Sequence, residues 1–231
     1  WDCASSSEEQ LALERAASLV TSLAGWALGF EVVAGLLLVY TVEDLHGLFV
    51  GAMCATGSLN ANPIGWTLLA VKLLLVALSA VWLAFNSLDQ RAGDFPIIRG
   101  KYLGLLLLTP LVAADLYLQL RYFGGLDPEV ITSCCGSLFS ESGGGVASEI
   151  AGLPAVTMMW VLYGSLAAFV ATGAGCLLSP ARLLRPALAA LSVVVLGAAL
   201  VSTVSFVSLY VYQLPTHHCP FDMLQAQYRF V

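Results

Sequence analysis

Five runs of apolar residues, each long enough to cross a bilayer as a helix, leave this chain few folds to choose from. They lie at about residues 11–41, 64–88, 101–123, 153–178 and 187–213. At about 1.5 Å per residue, roughly 20 residues cover the ~30 Å hydrocarbon layer. The first run exceeds that length, so it tilts or begins outside the hydrocarbon. Composition agrees: with 59% hydrophobic and 10% charged residues among 231, too little polar surface exists to clothe a soluble globule. The expected fold is all-α, a single polytopic transmembrane bundle over residues 1–231. A weaker apolar pattern from Phe221 to Val231 reads as an interfacial helix or a partial sixth span. Pro110 falls inside the third run, where a bundle tolerates it. Residues 1–10 are polar and acidic rather than basic and then apolar, so they do not read as a secretory signal peptide.

Orientation follows from the basic residues, because short loops rich in Lys and Arg remain cytoplasmic. If the five runs alternate, Arg15, Arg91, Arg99, Lys101, Arg182 and Arg185 share one side, and Arg121 and Arg229 take the other. This asymmetry predicts a multi-pass protein of the plasma (inner) membrane with a cytoplasmic N-terminus. Segments 42–63, 124–152 and 214–231 then face outward.

That topology places most of the soft ligands on one face. Cys54 lies in the first outward segment, Cys134 and Cys135 in the second, and His217, His218 and Cys219 in the third; His46 sits at the outer end of the first run. Short loops over one end of a helix pack are a common way to assemble a site. Two chemistries use such a cluster. On an oxidising face, Cys54, Cys134, Cys135 and Cys219 form two disulfides in one of three pairings. Alternatively, His217, His218, Cys219, Cys134 and Cys135 hold copper, zinc or iron, since thiolate and imidazole suit those ions.

Cys219-Pro220-Phe221-Asp222 resembles the Cys-Pro-x-Cys motif of thioredoxin-like and glutaredoxin-like proteins, with Asp222 where the second cysteine stands. The resemblance implies thiol–disulfide chemistry centred on Cys219, with Cys54, Cys134 or Cys135 as the resolving partner. Helical-bundle membrane thiol oxidoreductases of the vitamin K epoxide reductase type are similar at the level of architecture.

A second constellation lies within the apolar runs. Glu31, Lys72 and Asp115 are ionisable groups inside spans, and such groups are costly enough to mark function or a compensating ion pair. Counting inward from the outer helix ends places Lys72 and Asp115 roughly 12 Å deep and Glu31 roughly 16 Å, so the three can meet. One reading is a structural triad that fixes which helices adjoin; the other is a proton or cation relay leading toward the outer site. Gly25, Gly29, Gly164, Gly173 and Gly175 are expected to allow close helix contact, and Trp82, with other aromatics, to serve interfacial belts or bundle packing.

Several classes are disfavoured. A net charge of −6 without a basic stripe argues against nucleic acid as a partner. No phosphate-binding loop or Ser-His-Asp order is present, and no histidine lies within a run to hold a haem. Two functions remain. One is an extracytoplasmic Cys/His site for thiol–disulfide or metal-based redox or transfer chemistry. The other is a non-catalytic subunit or permease component, stapled by disulfides and partnered by lipid and other membrane or extracytoplasmic proteins.

Overall fold

The computed structural model describes residues 7–92, 95–132, 146–179, 182–213 and 218–225. The chain is all-α, and five of its helices are long and apolar enough to cross a membrane. In chain order they are α1 (Glu8–Asp44), α3 (Gly65–Arg91), α4 (Ile98–Gly124), α6 (Ala155–Leu178), and α7 (Leu184–Ser202) with its continuation to Tyr212. Shorter elements fill the connections: a 3-10 turn at Leu45–Leu48, α2 (Ala55–Asn60) and α5 (Val146–Ala151). A π-turn (Thr203–Val207) leads from α7 into α8 (Ser208–Tyr212), and a last 3-10 turn spans Asp222–Leu224. Each long helix falls within a few residues of an expected span. Of the stretch Phe221 to Val231, expected as an interfacial helix or a partial sixth span, only 221–225 are described, and they hold the 3-10 turn.

The chain forms two compact units, Trp1–Leu45 with Leu59–Val130, and His46–Ser58 with Ile131–Val231. The first is built on α1, α3 and α4, with α3 packed against both of the others. Why α3 is central can be read from its buried residues: Leu68, Lys72, Leu75, Ser79, Trp82, Asn86 and Asp89. Their spacing alternates four and three, the 3.5-residue repeat of a seam that faces partner helices along its length. Leu75 and Trp82 join Leu28 and Leu108 in the apolar core, while Lys72, Ser79, Asn86 and Asp89 carry polarity inside. Large apolar side chains point outward instead, among them Phe30, Leu37, Leu106 and Leu107.

Side-chain hydrogen bonds tie the helices of this unit together. The Tyr102 hydroxyl donates to Ala17 O at 2.7 Å and shares a 2.8 Å bond with Thr21. Lys101 Nζ donates to Asp89 Oδ2 at 2.7 Å, and Asp89 Oδ1 accepts the Ile97 N–H at 3.0 Å. Lys101, expected as a loop charge at a helix start, is in fact 5% exposed: α4 begins earlier, at Ile98, and a buried carboxylate compensates the ammonium. Of the two roles expected for the aromatics, Trp82 takes bundle packing: it is buried and donates its indole N–H to Lys101 O at 2.9 Å.

Helix contact depends on a glycine the sequence did not single out. A Cβ at Gly35 of α1 would collide with Val76 of α3, so these helices approach as closely as they do because Gly35 has none. An added Cβ at Gly25, Gly29 or Gly164 meets nothing, against the expectation that they serve close packing; Gly173 and Gly175 of α6 do lie against Leu188 and Leu184 of α7.

In the second unit, α6 and α7 pack on each other, and the π-turn contacts α5, α6 and α8. Segment 46–58 belongs here by contact although it lies between α1 and α3 in sequence. Val50 bridges Ile131, and the Thr132 N–H donates to Val50 O at 3.0 Å.

Candidate functional site

Cys54 and Cys219, the two described cysteines in segments expected to face outward, meet in the second unit. Cys54 Sγ and Cys219 Sγ are 3.4 Å apart, and both residues are fully buried. Thr56 Oγ1 lies 3.5 Å from Cys219 Sγ. One ligand atom each from Cys54, Cys219 and Asp222 falls within 4.8 Å of the others, and Asp222 is 7% exposed.

Local structure explains how each sulfur is held. Gly51 has φ +86°, a left-handed conformation that suits glycine, and a Cβ there would strike the Thr132 carbonyl. The chain can therefore reverse against Thr132 just before Met53 and Cys54. Cys54 O accepts the Gly57 N–H at 2.9 Å, which opens α2 immediately after the thiol. Gly57 is needed for space, because a Cβ there would run into Ala52. From the other end of the chain, Gln225 Nε2 donates to Met53 O at 2.7 Å and ties the C-terminal segment next to Cys54.

Cys219 is placed by its own neighbours. Gln213, left-handed at φ 55° and ψ 25°, ends α8. The Tyr212 hydroxyl then donates to Cys219 O. His218 Nδ1 lies 3.0 Å from Val204 O; a carbonyl only accepts, so Nδ1 carries the proton. The π-turn prepares this acceptor. The Ser208 N–H donates to Thr203 O, five residues back, and Val204 O takes the Ser208 hydroxyl at 2.8 Å together with the imidazole. His218 is 2% exposed, and its Nε2 is buried with no hydrogen-bond partner among the described residues. The ring is thus anchored through Nδ1 to the π-turn and keeps Nε2 in the interior.

Sulfur chemistry is what this geometry can do. At 3.4 Å the sulfurs are in thiol contact, not joined: a disulfide needs about 2.05 Å, so closing one takes roughly 1.4 Å of side-chain movement. No disulfide is present among the described residues, in contrast to the two expected bridges. Of the expected metal ligands, Cys219 is in the close group, whereas His218 is committed through Nδ1 to Val204 O and is not one of the three clustered ligands. Cys134, Cys135 and His217 lie outside the described residues. Asp222 is the residue that sequence reasoning missed, having been read only as a substitute for a second cysteine; its position three residues after Cys219 was the available signal.

Glu31, Lys72 and Asp115, expected to be able to meet, come together within the first unit. Lys72 Nζ, fully buried, donates to Asp115 Oδ2 at 2.6 Å and also pairs with Glu31. Gln119 Nε2 donates to the same Asp115 oxygen at 2.6 Å, and Asp115 Oδ1 is buried without a hydrogen-bond partner among the described residues. One cation therefore serves two carboxylates drawn from α1 and α4.

No family model matches this chain, and no match was found among curated proteins or among solved structures.

Proposed function

We propose that this is a multi-pass protein of the inner membrane that carries out thiol–disulfide exchange on its extracytoplasmic face through Cys54 and Cys219. The observation that carries the reading is the meeting of two fully buried sulfurs, 3.4 Å apart, from positions 165 residues apart in sequence. Five apolar helices support the membrane setting, and the excess of Lys and Arg on the opposite set of loops supports the outward address. Cys219 lies in the segment that resembles the Cys-Pro-x-Cys motif, and Cys54 stands in for the missing second sulfur. In the exchange, the two thiols lose two protons and two electrons as the Cys54–Cys219 bond forms, and a partner protein's disulfide is split into two thiols; the reverse step reduces the pair. Burial limits attack to a partner that opens or inserts into the site, which fits a docked membrane or extracytoplasmic protein better than a small diffusing thiol.

The test is a redox titration of the purified chain in detergent, with alkylated thiols counted by mass at each poise. A reversible two-electron transition at Cys54 and Cys219, between about −120 and −270 mV as in exchange proteins, is expected. A bond that survives below about −300 mV would make the pair a structural staple and favour the non-catalytic subunit reading.

A further inference from the structure

We propose that the reduced pair, together with Asp222, is a binding site for a divalent ion of the zinc class. This deepens the proposed function, since it uses the same two thiols in the state that exchange requires. Three acidic ligand groups from two segments distant in sequence, 0%, 0% and 7% exposed, bring one atom each within 4.8 Å of the others. Two sulfurs and a carboxylate are donor types that such an ion accepts.

The separation of the reduced sulfurs suits an ion held between them. Tetrahedral coordination with about 2.3 Å metal–sulfur bonds sets two sulfurs about 3.8 Å apart, whereas a disulfide needs about 2.05 Å. The observed 3.4 Å is nearer the first. The carboxylate then chooses among ions. Two thiolates alone suit copper(I), but a hard oxygen as third ligand shifts preference toward zinc or cobalt(II). Asp222 also accounts for a departure from the redox motif: a carboxylate cannot exchange with a disulfide, but it can ligate a metal. Because the ion needs both thiolates, forming the Cys54–Cys219 bond releases it, and binding it withholds the thiols from exchange.

Cobalt(II), titrated anaerobically into the reduced full-length chain in detergent, reads the site directly. One ion per chain is expected, with a thiolate-to-cobalt charge-transfer band. Bound cobalt should protect Cys54 and Cys219, identified by peptide mapping, from alkylation. Asp222→Asn should weaken binding at least about tenfold. Asp222→Cys, which supplies a third sulfur, should intensify the band. If both thiols alkylate freely with cobalt present, the metal site is refuted while the exchange pair stands. Affinity unchanged in Asp222→Asn refutes the three-ligand set. Thiols that cannot be reduced refute both readings. Protection in the unmodified chain decides the matter even where a variant fails to fold.

Discussion

In the unit built on α1, α3 and α4, buried charge faces opposite charge: Lys72 meets Glu31 and Asp115, and Lys101 meets Asp89. In the unit that holds the π-turn, buried sulfur faces sulfur, Cys54 against Cys219. The first arrangement sits on long helices, where a seven-residue seam repeats the same contact. The second is assembled from short turns at positions 51–57 and 218–225 and from a bulged helix. Both units keep buried polar atoms without a hydrogen-bond partner among the described residues, Asn86 Oδ1 and Asp115 Oδ1 in the first and Ser205 Oγ and His218 Nε2 in the second. What separates them is that charge meets charge across regular helices in one, and sulfur meets sulfur on irregular backbone in the other.

The sharpest way to break this comparison is to remove the cation from the first unit. Lys72→Met leaves two carboxylates facing each other without a counter-ion, and should destabilise the chain by about 3–5 kcal/mol, measured by denaturant unfolding in detergent. Changing Glu31 and Asp115 to Leu in the same chain should recover most of that loss, because a whole buried network can be exchanged for apolar packing at little cost. If the triple variant instead folds well but exchange at Cys54 and Cys219 stops, the triad belongs with the chemistry.

A smaller effect is expected where backbone geometry aims a sulfur. Gly51→Ala forces an alanine to φ +86° against the Thr132 carbonyl, at a cost of about 2 kcal/mol. Oxidative closure of the Cys54–Cys219 bond should slow in the same variant, as read by alkylation after timed quenching. An equal loss of stability with closure unaffected would mean the turn does not position Cys54.

Smallest of all should be the loss of the imidazole bond to the π-turn. His218→Ala removes one hydrogen bond to Val204 O, worth about 1 kcal/mol, alongside a modest loss of packing. A shift in the Cys54–Cys219 midpoint that exceeds this stability loss would assign His218 to the sulfur chemistry as a positioning residue. No shift would leave it an anchor for the chain before Cys219.

Much of the helical framework was legible because bilayer-length apolar runs need no tertiary information. The span expected at about 64–88 is Gly65–Arg91, and that expected at 187–213 is Leu184–Tyr212. The Glu31, Lys72 and Asp115 triad was legible for the same reason: a charge inside such a run stands out, and depth along a helix can be counted. What could not be read was the direction each helix faces. On α3 the outward side, with Leu73, Leu74, Leu78 and Val81, is more apolar than the inward side, so ranking residues by hydropathy did not show that Leu68, Leu75 and Trp82 turn inward with Lys72, Ser79 and Asn86. Lys101 and Asp89 were hidden because they stand at helix ends, where charges ordinarily reach water. The Cys54–Cys219 meeting was legible only as one pairing among several. The third ligand escaped because an aspartate beside a cysteine motif reads as a gap in that motif rather than as a donor.

The most direct test of the account is peptide mapping of the intact chain after brief mild oxidation in detergent, with every remaining thiol alkylated. A single dominant cross-linked product joining the peptides of Cys54 and Cys219, cleared by a reductant and absent from Cys219→Ser, is the predicted result. Oxidation that joins Cys54 or Cys219 to other cysteines, or leaves both alkylated, would contradict it.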